Sequence, residues 1–338
     1  MARPAASATG AIPAAYLAVA LLWSTTPLAI NWSLDGGGMA FALFARTVVA
    51  VVCAVGLLLV TRVGFPLTRA AWPAYIVGGT GLFGTLLCVY WGAQFIHSGL
   101  ISVVFGLSPF VTSVLAALWL GEHALTPAKL AGMALALGGL VIVFGAGGDL
   151  GGAKAGAGLA VVLLAVLINA AGLVGMKRVN GNTPPLAITA GIMLVSLPLF
   201  GLAWLLGDAP WPTALSLRSS LAIVYLGVFG SVLGFALYYY LMKHLSAGSL
   251  AMITVFTPLL ALFLGHLLND EALPPQVWSG ATAITLGLYL NLRAENACRT
   301  SKRTTTCEAD SRSRAEDSAI GAGGAGRHAA PGDTAGAS

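Results

Sequence analysis

The stretch 107-LSPFVTSVLAALWLGE-122 has a second version later in the chain, 256-FTPLLALFLGHLLNDE-271. In each, a proline interrupts a long apolar run and a glutamate follows 13 residues after it; the copies lie 149 positions apart. The correspondence extends in both directions. Upstream, 81-GLFGT-85 pairs with 227-GVFGS-231, and both lead into aromatic stretches, 89-VYWGAQF-95 and 235-FALYYYL-241. Downstream, the short Pro-containing turns 124-ALTPAK-129 and 272-ALPPQ-276 open two further apolar segments, 132-GMALALGGL-140 and 280-GATAITLGL-288.

The composition says where such a repeat is built. Of 338 residues, 57% are apolar and only 9% charged, against roughly 25% charged in soluble domains. So few charges cannot cover the surface of a soluble protein of this size. The chain reads as all-α and integral to a membrane, where a crossing needs about 20 apolar residues. Long runs with few or no charges predict ten transmembrane helices, the second in spite of Arg46, near 12–33, 38–60, 72–94, 99–120, 128–146, 156–177, 185–207, 219–241, 247–268 and 276–292. The first of these is too long for a signal-peptide core and is read as a retained helix.

Ten helices and a duplicated unit give two five-helix repeats, 11–147 and 156–292, flanked by an N-terminal cytoplasmic arm at 1–10 and a tail at 293–338. Five is odd, so the second repeat enters the bilayer from the opposite face. Such inverted repeats are the construction of many secondary transporters, with the substrate site near the midplane. The tail, small and glycine-rich, is expected to be disordered. Seven basic residues (Arg3, Arg62, Arg69, Lys129, Lys177, Arg178, Lys243) fall on the side holding both termini and two (Lys154, Arg218) on the other. This bias places both termini in the cytoplasm and the protein in the inner (plasma) membrane. The basic balance is thus a membrane feature and implies no nucleic-acid partner.

Candidate site residues follow from what is costly in lipid. Arg46 is the one basic residue well inside a span, and a buried cation there normally has a partner. It binds an anionic group such as a substrate carboxylate, joins a polar network with Ser24, Thr25 and Thr26 at the Pro27 kink, or snorkels to the outer end. Pro109 and Pro258, with Pro27, are candidate hinges, because each removes a backbone hydrogen bond within its span. Ser108, Thr112, Thr254 and Thr257 flank two of them; these hydroxyls repair the broken ladder or face a substrate. Trp23, Tyr90 and Tyr238 line a cavity or serve packing. Glu122 and Glu271 stand about 20 Å past their prolines, near the membrane boundary. Each either pairs with a loop cation, accepts from the first amides of the next helix, or works as a gate or coupling residue together with His266.

These twin segments, with 22-LWSTTPLAI-30, Arg46 and 227-GVFGSVLGFALYYY-240, resemble the EamA-type transporters of the drug/metabolite transporter superfamily over about 11–292. The resemblance implies two five-helix repeats and secondary transport, often efflux of amino acids or other metabolites, with proton coupling as the default. The expected partners are a small-molecule substrate and membrane lipid, in a monomer or homodimer. The alternatives are an importer or exchanger of the same fold, or a membrane-embedded enzyme or assembly factor. The chain lacks a GxxxxGK[ST] loop, an HExxH pair and a CxxC pair, so ATP-driven pumping and metal-dependent catalysis have no carrier here. No cofactor, metal or enzymatic activity is expected.

Overall fold

The computed structural model describes residues 8–121, 127–145, 154–179, 183–207, 211–212, 214–244, 247–269, 271, 274–290 and 293. Side chains at 8–11, 144–145, 239, 242–244, 247–252 and 254–255 are not among those described. The expected disordered tail and Glu122 therefore lie outside the described residues.

All regular structure among the described residues is helical. The elements are α1 (Ala8–Ser33), α2 (Gly38–Thr61), α3 (Trp72–Gly92), α4 (Ser98–Phe105), α5 (Ser108–Leu120), α6 (Pro127–Gly145), α7 (Ala155–Val179) and α8 (Pro185–Leu206). They are followed by α9 (Leu217–Tyr225), a π-helical segment (Leu226–Leu233), α10 (Gly234–His244) and α11 (Ala247–Asn269), and by α12 over 275–290. Among the described residues, seven segments are long and apolar enough to cross a membrane: Ile12–Ser33, Gly38–Thr61, Trp72–Gly92, Ser98–Leu120, Ala155–Val179, Pro185–Leu206 and Leu217–Tyr238. Two further apolar helices, Pro127–Val143 and Phe256–Asn269, are shorter. The outward faces are greasy, with Leu59 at 74% and Leu118 at 73% exposure, as a lipid-facing surface requires.

What holds such helices together in lipid is close approach of backbones rather than segregation of apolar side chains. Small residues supply it. A Cβ at Gly139 would stand 2.6 Å from the carbonyl of Gly280, and one at Gly280 would stand 2.5 Å from the carbonyl of Gly139. Gly287 abuts the backbone of Gly132 and Ala136 in the same way, so α6 and α12 run antiparallel along a glycine seam. A second seam joins α3 to α7, where Gly81 meets Gly172 and Gly92 meets Gly158 and Val162. Elsewhere α2 packs on α8, α4 on α11, α1 on α9, α10 and α11, and α5 on α7.

The two prolines at equivalent sequence positions act differently. At the first, α4 stops after Phe105, Gly106 and Leu107 form a turn, and α5 starts anew with Pro109 in its first turn, where the missing N–H costs nothing. The second, Pro258, lies inside the continuous helix α11. Pro27 is likewise inside α1, and Ser24, Thr25 and Thr26 bond back to the carbonyls of Ala20, Leu21 and Leu22. Such back-bonding bends a helix and covers its carbonyls.

Candidate functional site

Arg46 is 5% exposed, which removes the snorkelling reading. Its guanidinium donates to the hydroxyl of Tyr90 at 3.3 Å and to the Oγ of Ser231 at 3.1 Å, and it stands 5.7 Å from the centre of the Tyr90 ring. Both partners are neutral. The acids among the described residues are Asp35 and Glu271, and neither pairs with Arg46. Among the described residues this buried guanidinium is held by two hydroxyls, which leaves donors of its five N–H groups to spare.

The π-helical segment builds this arrangement. A turn widened to i→i+5 pairing is found disproportionately at functional sites, and here it brings the Ser231 hydroxyl onto the carbonyl of Leu226, five residues back, at 2.9 Å. Gly227 on this segment lets α2 approach it closely. A Cβ there would fall 2.6 Å from Val49 Cγ1 and 2.9 Å from the carbonyl oxygen of Arg46 itself. Just before the segment, the Tyr225 hydroxyl lies 2.5 Å from Thr25 Oγ1. Just after it, Trp23 packs against Tyr238 at 5.0 Å and Phe235 at 6.3 Å between ring centres. The segment between α9 and α10 thus packs on α1 and α2, and Arg46 of α2 links its Ser231 to Tyr90 of α3.

Several candidate residues make no bond to Arg46. Ser24 is buried and donates to Ala20, not to Arg46. Thr257 donates to the carbonyl of Ile253, four residues back. Ser108 accepts from Asn169 Nδ2 at 3.3 Å, a link between α5 and α7. Thr112 is half-buried, and the Thr254 side chain is outside the described set.

Glu271 accepts from the backbone N–H of Ser98 at 3.0 Å and from that residue's hydroxyl at 2.6 Å. A weaker bond comes from the N–H of Gly99 at 3.4 Å. These are the first amides of α4, not of the helix that follows Glu271 in sequence. His266 Nδ1 lies 2.9 Å from the backbone oxygen of Glu271, not from its carboxylate.

Ser231 was not among the residues singled out from the sequence, although the repeat carries a signal for it. It occupies the same place in 227-GVFGS-231 as Thr85 in 81-GLFGT-85. The Thr85 hydroxyl is buried without a hydrogen-bond partner among the described residues. The difference has a cause: α8, which packs on α3, carries no charged residue, whereas α2, which packs on the π-helical segment, carries Arg46.

The sequence profile of the EamA-like transporter family matches residues 11–145 and 156–293. The chain belongs to this family. A relative from Streptantibioticus cattleyicolor, named a probable terminal-alkyne amino-acid exporter, is 29% identical over 284 residues, 82% of this chain and 91% of the relative. A second, from Chlamydia muridarum, named an S-adenosylmethionine/S-adenosylhomocysteine transporter, is 27% identical over 285 residues, covering 80% of this chain and 88% of the relative. A crystal structure 23% identical in sequence superimposes with a TM-score of 0.61 over 83% of this chain and 98% of the other; it shares the fold.

Proposed function

We propose that the protein is a secondary active transporter of the inner membrane that exports a small metabolite bearing a carboxylate, of the amino-acid class, by alternating access. The observation that carries this reading is the buried guanidinium of Arg46, held by Tyr90 and Ser231 with no acidic partner among the described residues. Isolating such a charge in a membrane interior costs several kcal/mol on most scales, about 3 or more at a helix centre. A substrate carboxylate returns that cost through a bidentate, charge-assisted pair. Trp23 and Tyr238, with Tyr225 nearby in sequence on α9, offer apolar surface for the substrate's body.

The architecture supports the cycle. Ten spans in two inverted repeats would pair α2 with α8, α4 with α11 and α6 with α12 as counterparts, and each of these pairs is in contact. The same exchange turns the contact of α1 with α9 and α10 into that of α3 with α7, which is also made. An arrangement that maps onto itself under exchange of its halves has two related closed forms, one for each face of the membrane. Both termini face the cytoplasm in this reading, and the amino-acid exporter among the relatives favours the outward direction.

The test is flux in proteoliposomes loaded with radiolabelled amino acids, each compared with its amide and methyl ester, under imposed proton and sodium gradients. Transport of one or more free acids with rejection of the amide and ester is expected. A preparation that moves none of them under any gradient, while correctly folded, ends the proposal.

A further inference from the structure

The end of the bundle where α1 and α11 finish and α4 and α9 begin is closed by one continuous polar chain. The Glu271 carboxylate is 4% exposed and takes four donors: the Ser98 N–H, the Ser98 hydroxyl, the Gly99 N–H and Asn269 Nδ2 at 3.2 Å. Asn269 in turn accepts through Oδ1 from Trp32 Nε1 at 3.0 Å and from the Arg218 guanidinium at 2.9 Å. That guanidinium covers the Trp32 ring at 4.3 Å. Beside them the Ser219 hydroxyl donates to the backbone oxygen of Ser33 at 3.2 Å. Four helix ends, two from each half of the sequence, are fastened together.

The site is shaped for this carboxylate. The backbone N–H of Glu271 reaches back to the carbonyl of Gly265 at 3.4 Å, which folds the residue over the end of α11. A Cβ at position 265 would come within 2.6 Å of Glu271 Oε2 and 3.1 Å of Ser98 Oγ, so the glycine leaves the carboxylate and its hydroxyl partner their places. On the receiving side the start of α4 presents free N–H groups and the positive end of its dipole. Gly99 brings the α4 backbone against Leu262 of α11, where an added Cβ would stand 2.7 Å from Leu262 Cδ2.

We infer that Glu271 is a gating residue: its grip on the start of α4 holds this end of the bundle shut, and its release lets the end open. The inference rests on the transport reading given above. A polar latch suits a joint that must break and re-form. Once the helices part, water replaces each donor to the carboxylate and each acceptor of the α4 amides, so the open and closed forms differ by a modest energy. An apolar seal of the same size would gain nothing from water. Lines of attachment also cross between the halves, from 271 to 98 and 99, from 269 to 32 and from 219 to 33. Polar attachments of that kind can part and re-form as this end opens, while the glycine seams elsewhere keep their helix pairs together.

The full-length protein in lipid nanodiscs tests this. Leu262→Cys supplies a reporter beneath the latch, with Cys53, Cys88, Cys298 and Cys307 each changed to Ala, and the readout is its alkylation rate by a water-soluble maleimide. Glu271→Gln should raise that rate by about tenfold, the loss of one charge-assisted bond. Ser98→Ala and Asn269→Ala should raise it by smaller factors. A staple with no gating role would lower thermal stability and leave position 262 as unreactive as in the parent, and that result overturns the inference. If Glu271→Gln does not fold, the other two variants decide the matter by the same criterion. Failure of the parent to transport any amino acid would refute the transport reading instead, since the alkylation rate is read without substrate.

Discussion

Ser231 and Arg46 are 185 positions apart in sequence and 3.1 Å apart in space, and the bond joins the first half of the chain to the second at a charge with no counterion among the described residues. Arg46→Gln should leave membrane insertion intact and lower the initial transport rate by about 10- to 100-fold, the range for losing a charged hydrogen-bonding partner. Arg46→Lys should not restore it, because an ammonium cannot reproduce the planar fork. Rates in proteoliposomes at matched protein density provide the measurement, and parental rates in both variants would retire Arg46 as a substrate contact.

Ser231→Ala removes the hydroxyl that both orients Arg46 and bonds back to Leu226. A rise in the half-saturating substrate concentration of about tenfold is expected, equivalent to about 1.4 kcal/mol. The repeat-equivalent change, Thr85→Val, should act in the opposite sense on stability. It deletes a buried hydroxyl with no partner and should stabilise the fold by about 1 kcal/mol. Thermal unfolding of both variants in the same detergent separates the two effects.

The helix positions were legible in the sequence because lipid imposes a hard rule: charge-free runs of sufficient length form helices. The reading of 38–60 corresponds to Gly38–Thr61, 185–207 to Pro185–Leu206, and the break expected near 94–100 to the turn between Gly92 and Ser98. Two features were not legible. The π-helical turn at Leu226–Leu233 has ordinary composition, and nothing local distinguishes i→i+5 from i→i+4 pairing. The partners of Arg46 and Glu271 come from segments more than 40 and 170 residues away, and periodicity carries no information on which helix faces which. Even the duplicated proline gave an ambiguous signal. It starts a new helix at Pro109 and is absorbed within one at Pro258, because Gly106 precedes the first and Val255 and Phe256 lead into the second without a glycine.

The contact between Thr25 and Tyr225 is open to a double-mutant cycle. Thr25→Val and Tyr225→Phe each remove one hydroxyl from the 2.5 Å pair. Their combined effect on unfolding free energy should fall short of the sum by about 1 kcal/mol. Additive losses would mean that the two hydroxyls do not support one another in the bilayer.

Glycine seams make a steric prediction. Gly280→Ala places a methyl 2.5 Å from the Gly139 carbonyl and against Val143, where only backbone can yield. Destabilisation of about 1–3 kcal/mol is expected, whereas Gly138→Ala, whose Cβ meets nothing within 4 Å, should be silent. Melting temperatures of the two variants compared side by side provide the check.

Threading can be tested directly. Arg69 and Lys154 are both exposed, and three predicted crossings separate them. Single cysteines at the two positions should react with an impermeant label from opposite faces of sealed vesicles. Labelling from one face would refute the ten-span count and the inverted arrangement with it.

The seams joining α6 to α12 and α3 to α7 carry a mechanical consequence. Where main chains touch without intervening side chains, no rotamer can rearrange to absorb a displacement, so each joined pair moves as a single stiff beam. Flexing is thereby left to the joints that do contain adaptable groups, namely the turn at Gly106 and Leu107 and the polar fastening at the helix ends.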